Sequence, residues 1–207
     1  MGRQRSARTE TRILEAALKV FAAMGPDAPK IDDFAQAAGI SRGTFYNHFE
    51  SVEELLAATS EWTTREIVEV IEAALEGISE PGLRFGLGLR LFFSMAQQDP
   101  VWCRFVARMW KVGGLELPLR DLERGVRLGV FRAPSAAVAR DFIFGGIREA
   151  LLQIGEGRSS AAYGAQITEL CLQALGADVL RIAAILRHPL PRVPSHPVPT
   201  RQGGVTP

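Results

Sequence analysis

Between Ile31 and Phe49 the chain reads as a helix, a three-residue turn and a second, shorter helix. Ile31, Phe34, Ala35 and Ala38 recur at helical spacing and give the first helix one apolar face. Gly39 stops it, because glycine takes the left-handed C-terminal conformation at no steric cost. Ile40 is an apolar plug in the turn. Ser41 is a good N-cap, since its hydroxyl can accept from the amides of the next turn. Phe45 and Phe49, four apart, face inward, so Arg42, Gly43, Thr44, Tyr46, Asn47 and His48 are left mostly facing out. A short helix with an apolar back and a donor-rich front, held by a glycine turn, is what the major groove of DNA admits.

A chain of 207 residues can bury a sizeable core in one or two domains. No apolar run is long enough to span a bilayer, and Met1-Gly2-Arg3-Gln4-Arg5 opens no secretory signal. Cys103 and Cys171 sit far apart among apolar residues, which favours buried, reduced thiols and a cytoplasmic location. The net charge of +1 does not by itself announce a nucleic-acid partner. Locally, Arg3, Arg5, Arg8 and Arg12 against a lone Glu10 make a basic arm before the first helix. Such an arm can follow phosphates or a minor groove, or simply be a solvated start.

The remaining pattern is all-α. A first helix is expected from about residue 9 to 24, then a turn over Gly25-Pro26-Asp27-Ala28-Pro29. A long fourth helix should begin near Ser51, capped with Glu54, and carry an acidic face. The fifth, about 81 to 98, is apolar nearly all round and belongs in the middle of a domain, with Arg90, Ser94 and Gln97 as a polar seam. Further helices are expected after Pro100, up to about 128, and over 135–155, 160–175 and 178–187. Beyond His188 six prolines point to a disordered tail, 188–207. Enzymatic signals are absent: two of the three histidines lie in that tail, no His/Cys cluster has metal spacing, and no serine sits in a nucleophile elbow. No cofactor is expected.

Ala35-x-x-Ala38-Gly39-Ile40-Ser41-x-Gly43-Thr44-Phe45-Tyr46-x-His48-Phe49, then Glu53-x-Leu55, resembles the TetR/AcrR family of bacterial transcriptional regulators. Arg12-Ile13-Leu14-x-Ala16-Ala17-x-x-x-Phe21-x-x-x-Gly25 is similar to the first helix of the same domain. The resemblance implies a three-helix helix-turn-helix DNA-binding domain over 9–69, with a larger helical effector-binding and dimerisation domain over 70–187. It implies a homodimer on double-stranded palindromic operator DNA, most often a repressor released by a small molecule of unknown identity, and no membrane partner.

Arg42 is the candidate base reader, because its planar fork can take two acceptors of a guanine edge. Gly43 lets the backbone approach the groove, and Thr44 and Asn47 can meet a base or a phosphate. Tyr46 and His48 become phosphate contacts by resemblance. Two positions depart from the family pattern. Lys30 stands where a capping threonine is common; it cannot cap but can neutralise a phosphate. Val52 replaces a common lysine and removes one expected phosphate contact.

By the same resemblance, Trp62, Phe92, Phe93, Trp102, Phe105, Met109, Trp110 and Phe144 line an effector pocket, with Arg90 and Arg148 facing an anionic or carbonyl-bearing ligand; otherwise these side chains are core or surface. A four-helix interface between subunits would use Ile143, Gly146, Ile147, Ala150, Ile154, Ile167, Leu170 and Ala174. The alternative is a helical dimerisation or protein-interaction module of the same fold without specific DNA binding, which the near-neutral charge, Val52 and the acidic fourth helix favour.

Overall fold

The computed structural model describes residues 2–109 and 120–193. Among them are ten α-helices and no strand: α1 Gly2–Met24, α2 Ile31–Ala38, α3 Arg42–Tyr46, α4 Val52–Ala74, α5 Pro81–Gln98, α6 Pro100–Met109, α7 Arg120–Arg127, α8 Ala136–Gly155, α9 Tyr163–Ala174 and α10 Val179–Arg187. The chain is all-α, as its pattern predicts. Several helices start at side-chain caps that the sequence displays. Ser51, Ser135 and Asp178 accept backbone amides at the starts of α4, α8 and α10, and Glu80 does so at α5 just before Pro81.

An aromatic chain joins the first three helices to the rest. Phe34 of α2 lies between Phe21 of α1, ring centroids 4.9 Å apart, and Phe45 of α3, at 6.4 Å. Phe21 in turn meets Phe105 of α6 at 6.4 Å. One apolar cluster therefore runs from the helix-turn-helix into the helices behind it. α6 packs between α1 and α8. α5 packs against α4, α6, α7, α8, α9 and α10, which explains why it is apolar nearly all round.

Four expectations need correction. The first helix starts at Gly2 rather than near residue 9, so the basic stretch is helical and not an extended arm. Arg8 is exposed on it, whereas the side chains of Arg3 and Arg5 lie outside the described residues. Arg12 is drawn inward to the helix-turn-helix: its Nη2 donates to the Ala38 carbonyl at 2.6 Å. The tail is not featureless either. Over 188–193 it folds back, and Leu190 and Val193 pack on the apolar patch formed by Leu75, Leu87 and Leu91; residues 194–207 lie outside the described residues.

The polar seam of α5 holds the helical body together. Arg90 donates to the Ile185 and His188 carbonyls at 2.6 and 2.7 Å, fixing the end of α10. Gln97 donates to the Ser160 carbonyl at 2.9 Å. Both cysteines are buried and free. Burial pushes the Cys103 thiol up to about 12 and the Cys171 thiol up to about 11. Both therefore stay protonated and unreactive at neutral pH.

Candidate nucleic-acid interface and small-molecule cavity

The turn is fixed by short-range bonds. Gly39 sits at φ 62° and ψ 45°, in the left-handed region. Its amide donates to the Gln36 carbonyl, and the Ile40 amide donates to the Ala35 carbonyl. These bonds satisfy carbonyls that the end of α2 would otherwise leave open. Ser41 Oγ accepts from the Thr44 amide at 3.1 Å and lies 2.9 Å from the Thr44 hydroxyl. Lys30, having no side-chain acceptor, caps nothing. Instead the Asp33 carboxylate accepts from the Lys30 amide at 2.7 Å, so Asp33 does more than favour the helix dipole.

Burial of Phe45 and Phe49 sets the rotation of α3. Lys30, Ser41, Arg42, Gly43, Tyr46 and Asn47 are exposed, while Thr44 and His48 are half-buried. Tyr46, at 51% exposure, is a large aromatic with no internal reason to face water. Arg42, Gly43, Thr44, Tyr46, Asn47 and His48 are thus brought together on α3 and just beyond it, while Lys30 stands at the start of α2. One partner was not legible beforehand: Asp32 of α2 accepts from Arg42 Nε at 3.2 Å, with both side chains exposed. The pair engages Arg42 through Nε, and exposed ion pairs of this kind contribute about 0–1 kcal/mol.

The predicted effector lining is largely core. Trp62 is buried, and Phe93, Trp102, Phe105 and Met109 are at most 1% exposed, apart from Trp62 at 6%. Trp110 lies outside the described residues. Arg90 is occupied at α10, as described above. Arg148 is half-buried, and its Nε has no hydrogen-bond partner among the described residues; it is not among the residues lining the cavity.

A cavity of about 80 Å³ does exist between α4, α5, α7 and α8. Among the described residues of the predicted set, Phe92 and Phe144 line it. Its walls are mainly Ile67 and Ile71 of α4 and Leu75 just past its end, with Phe85, Gly88 and Leu89 of α5. Spacings of four on α4 and of three and four on α5 were the available signal, and the acidic character of α4 masked it. At one end stand Arg84, Glu72 and Asp121. Arg84 Nη2 donates to Glu72 Oε2 at 2.6 Å and its Nε to Asp121 Oδ2 at 3.0 Å. Its Nη1 donates to the Leu75 and Ile78 carbonyls, closing the end of α4. Burial works against the Arg84 charge, but Asp121 and Glu72 outweigh it and hold the guanidinium above its ordinary pKa.

The proposed subunit interface also needs revision. Ile143, Ile147, Ala150 and Ile154 turn into the protomer's own core, because α8 packs on α6. Ile167 is half-buried. Gly146, Leu170 and Ala174 are exposed, as are Val138, Phe142 and Gly145 on the same side of α8. Phe142 is 64% exposed and Leu170 59%. Among the described residues no group of His, Cys, Asp and Glu could hold a metal ion, and no helix is long and apolar enough to cross a membrane.

Residues 13–59 match the family described as bacterial regulatory proteins, tetR family. The chain is 32% identical over 89 residues to an uncharacterized HTH-type transcriptional regulator of Mycobacterium tuberculosis, covering 43% of this chain and 44% of that protein. It is 39% identical over 72 residues to the HTH-type transcriptional regulator CymR of Pseudomonas putida, covering 35% and 36%. The matched stretch thus spans less than half the length of these curated relatives. The fold extends further: the structure of RolR in complex with resorcinol superposes with a TM-score of 0.64, covering 92% of this chain and 99% of that one at 23% identity. The helix-turn-helix geometry, the match of residues 13–59 to the tetR-family model and the shared fold agree with one another.

Proposed function

We propose that this chain is a sequence-specific DNA-binding transcriptional regulator, acting as a homodimeric repressor that a small molecule releases. The observation that carries the reading is the exposed set Arg42, Tyr46 and Asn47 along a short helix and its end, held by Gly39, Ser41 and buried Phe45. In this reading residues 9–69 form the DNA-binding domain and α3 lies in the major groove. Arg42 reads a base, while Lys30, Thr44, Tyr46 and His48 position the helix on phosphates. Selection of bound sequences from random duplex DNA tests it. A palindrome with half-sites about a turn or more apart is the expected result; no enrichment at low salt would favour an interaction module without specific DNA binding.

The exposed faces of α8 and α9 support a two-fold interface. A Cβ on Gly145 or Gly146 would meet nothing inside the protomer. Their absence of side chains therefore serves no internal packing, although each costs about 1 kcal/mol in helix propensity. Close approach by a second α8 accounts for both glycines and for exposed Phe142 and Leu170. A Phe142→Glu, Leu170→Glu protein is expected to sediment as a monomer where the parent is a dimer. A monomeric parent at micromolar concentration would remove this part of the proposal.

The cavity suits the effector because its α4 wall continues into the helix that leaves the DNA-reading region. Ligand pressing on Ile67, Ile71 and Leu75 would move α4 and change the separation of the two reading heads. The free energy must come from different ligand affinity in the two arrangements. Resorcinol bound to RolR shows that a protein of this fold can take a small aromatic ligand.

A further inference from the structure

We propose that the cavity selects a compact, mainly apolar ligand carrying a hydrogen-bond donor, received by Glu72 and Asp121, and that it disfavours carboxylates. This inference rests on the reading of the cavity as the effector site. Its polarity follows from which atoms at the mouth are already committed. Arg84 is the one cation lining the cavity among the described residues, and it makes four hydrogen bonds, to Glu72, Asp121 and the carbonyls of Leu75 and Ile78. A guanidinium has five N–H groups. The single N–H left is on Nη2, which already binds Glu72, and Arg120, Arg124 and Arg127 face the adjoining open pocket rather than the cavity, so a carboxylate inside the cavity meets no uncommitted cation among the described residues lining it.

The acceptors are in the opposite state. Glu72 uses Oε2 and Asp121 Oδ2 toward Arg84, which leaves Glu72 Oε1 and Asp121 Oδ1 outside the bridge as acceptors, with no hydrogen bond to another of the described residues. Both residues line the cavity, and Asp121 is largely shielded, with 24% side-chain exposure. The open polar capacity at this end is therefore acceptor capacity. An O–H or an N–H donor satisfies it without dismantling the Arg84 bridge that closes α4. The other walls, Ile67, Ile71, Leu75, Phe85, Leu89, Phe92, Phe144 and Ile147, offer only apolar contact. A volume of about 80 Å³ is well below the roughly 300 Å³ at which drug-sized pockets begin, so the ligand is ring-sized.

Gly88 sets that size. A Cβ at this position would stand 3.7 Å from Leu75 Cδ1 and 3.8 Å from Ile71 Cγ2, in ordinary contact and without a clash. Alanine here narrows the cavity, and valine fills it, within a helix that has no conformational need for glycine at this point.

Three near-isosteric probes test the proposal by calorimetry on the full chain without DNA: benzyl alcohol, benzylamine and benzoate. The alcohol and the amine are expected to bind at least tenfold tighter than benzoate. A paired Glu72→Gln, Asp121→Asn protein separates the two donor sources: it should lose most amine affinity and keep most alcohol affinity. Gly88→Val should abolish binding of all three while its melting temperature stays at or above that of the parent, which places the probes in the cavity. Benzoate binding tightest, no binding by the alcohol and amine, or binding unchanged in Gly88→Val would each overturn the proposal. Because no DNA is present, failure here leaves the DNA-reading proposal standing, and failure of operator selection leaves this result standing.

Discussion

Around Gly39 and Ser41 the backbone turn bonds and the Ser41 cap span at most five residues, as in Ile40 to Ala35 and Thr44 to Ser41, and Arg12 adds one longer bond to the Ala38 carbonyl. At the cavity mouth Arg84 reaches back 12 residues to Glu72 and forward 37 to Asp121. The first arrangement is specified locally and can form wherever its two helices form. The second exists only once α4, α5 and α7 have met. The helix-turn-helix therefore rests mainly on bonds made within it, with Arg12 and the aromatic chain as its support from α1. The cavity is a joint whose shape depends on how three helices are seated, which is the property a switch requires.

Breaking the support of the reading head should have the largest effect. Phe45→Ala empties a fully buried site between Phe34 and Phe49. It is expected to cost about 3–5 kcal/mol in denaturant unfolding and to abolish DNA binding. A loss under 1 kcal/mol would mean that the aromatic chain from Phe21 to Phe45 is not what holds α3. Next comes the joint. Arg84→Met leaves Glu72 and Asp121 without their shared cation and opens the carbonyls of Leu75 and Ile78. We expect a loss of about 2 kcal/mol and faster amide exchange at the end of α4. Unchanged exchange there would show that the α4 terminus does not depend on the bridge.

Local caps should matter less. Ser41→Ala removes the acceptor for the Thr44 amide and should lower stability by about 1 kcal/mol. Cavity geometry, read by probe binding, should not change, and a change would couple the two regions more tightly than the bonds indicate. The smallest effect belongs to Asp32→Asn. It frees Arg42 from an exposed partner and removes a negative charge from the DNA-facing side. Operator affinity should rise by no more than about fivefold, since exposed pairs contribute about 0–1 kcal/mol. A fall in affinity would assign Asp32 a role in orienting Arg42 on the DNA.

The same contrast explains what the sequence made legible. Helical periodicity, Gly39, the Ser41 and Ser51 caps and the inward Phe45 and Phe49 are local, and each appears where the pattern places it. The start of α1 was misjudged because an arginine-rich stretch is compatible with helix as well as with an extended arm. The cavity was drawn from the largest aromatics, and those went to the core because α6 is gripped between α1 and α8. The resemblance implies a subunit interface on α8 without saying which side of the helix makes it, and Ile143, Ile147 and Ile154 are buried in the protomer's own core. Arg90 shows the general difficulty. Its partners, Ile185 and His188, lie about 95 residues away, and no local pattern reveals them.

The most direct test of the central claim is the affinity of the parent and of Arg42→Ala for the selected operator and for a scrambled duplex, measured across a salt series. The account predicts operator binding by the parent that weakens linearly with the logarithm of salt concentration. It predicts a loss of about 10–100-fold in Arg42→Ala on the operator, with little change on the scrambled duplex, because a bidentate base contact is worth about 1–3 kcal/mol. Equal affinity of both proteins for both duplexes at every salt concentration would contradict it.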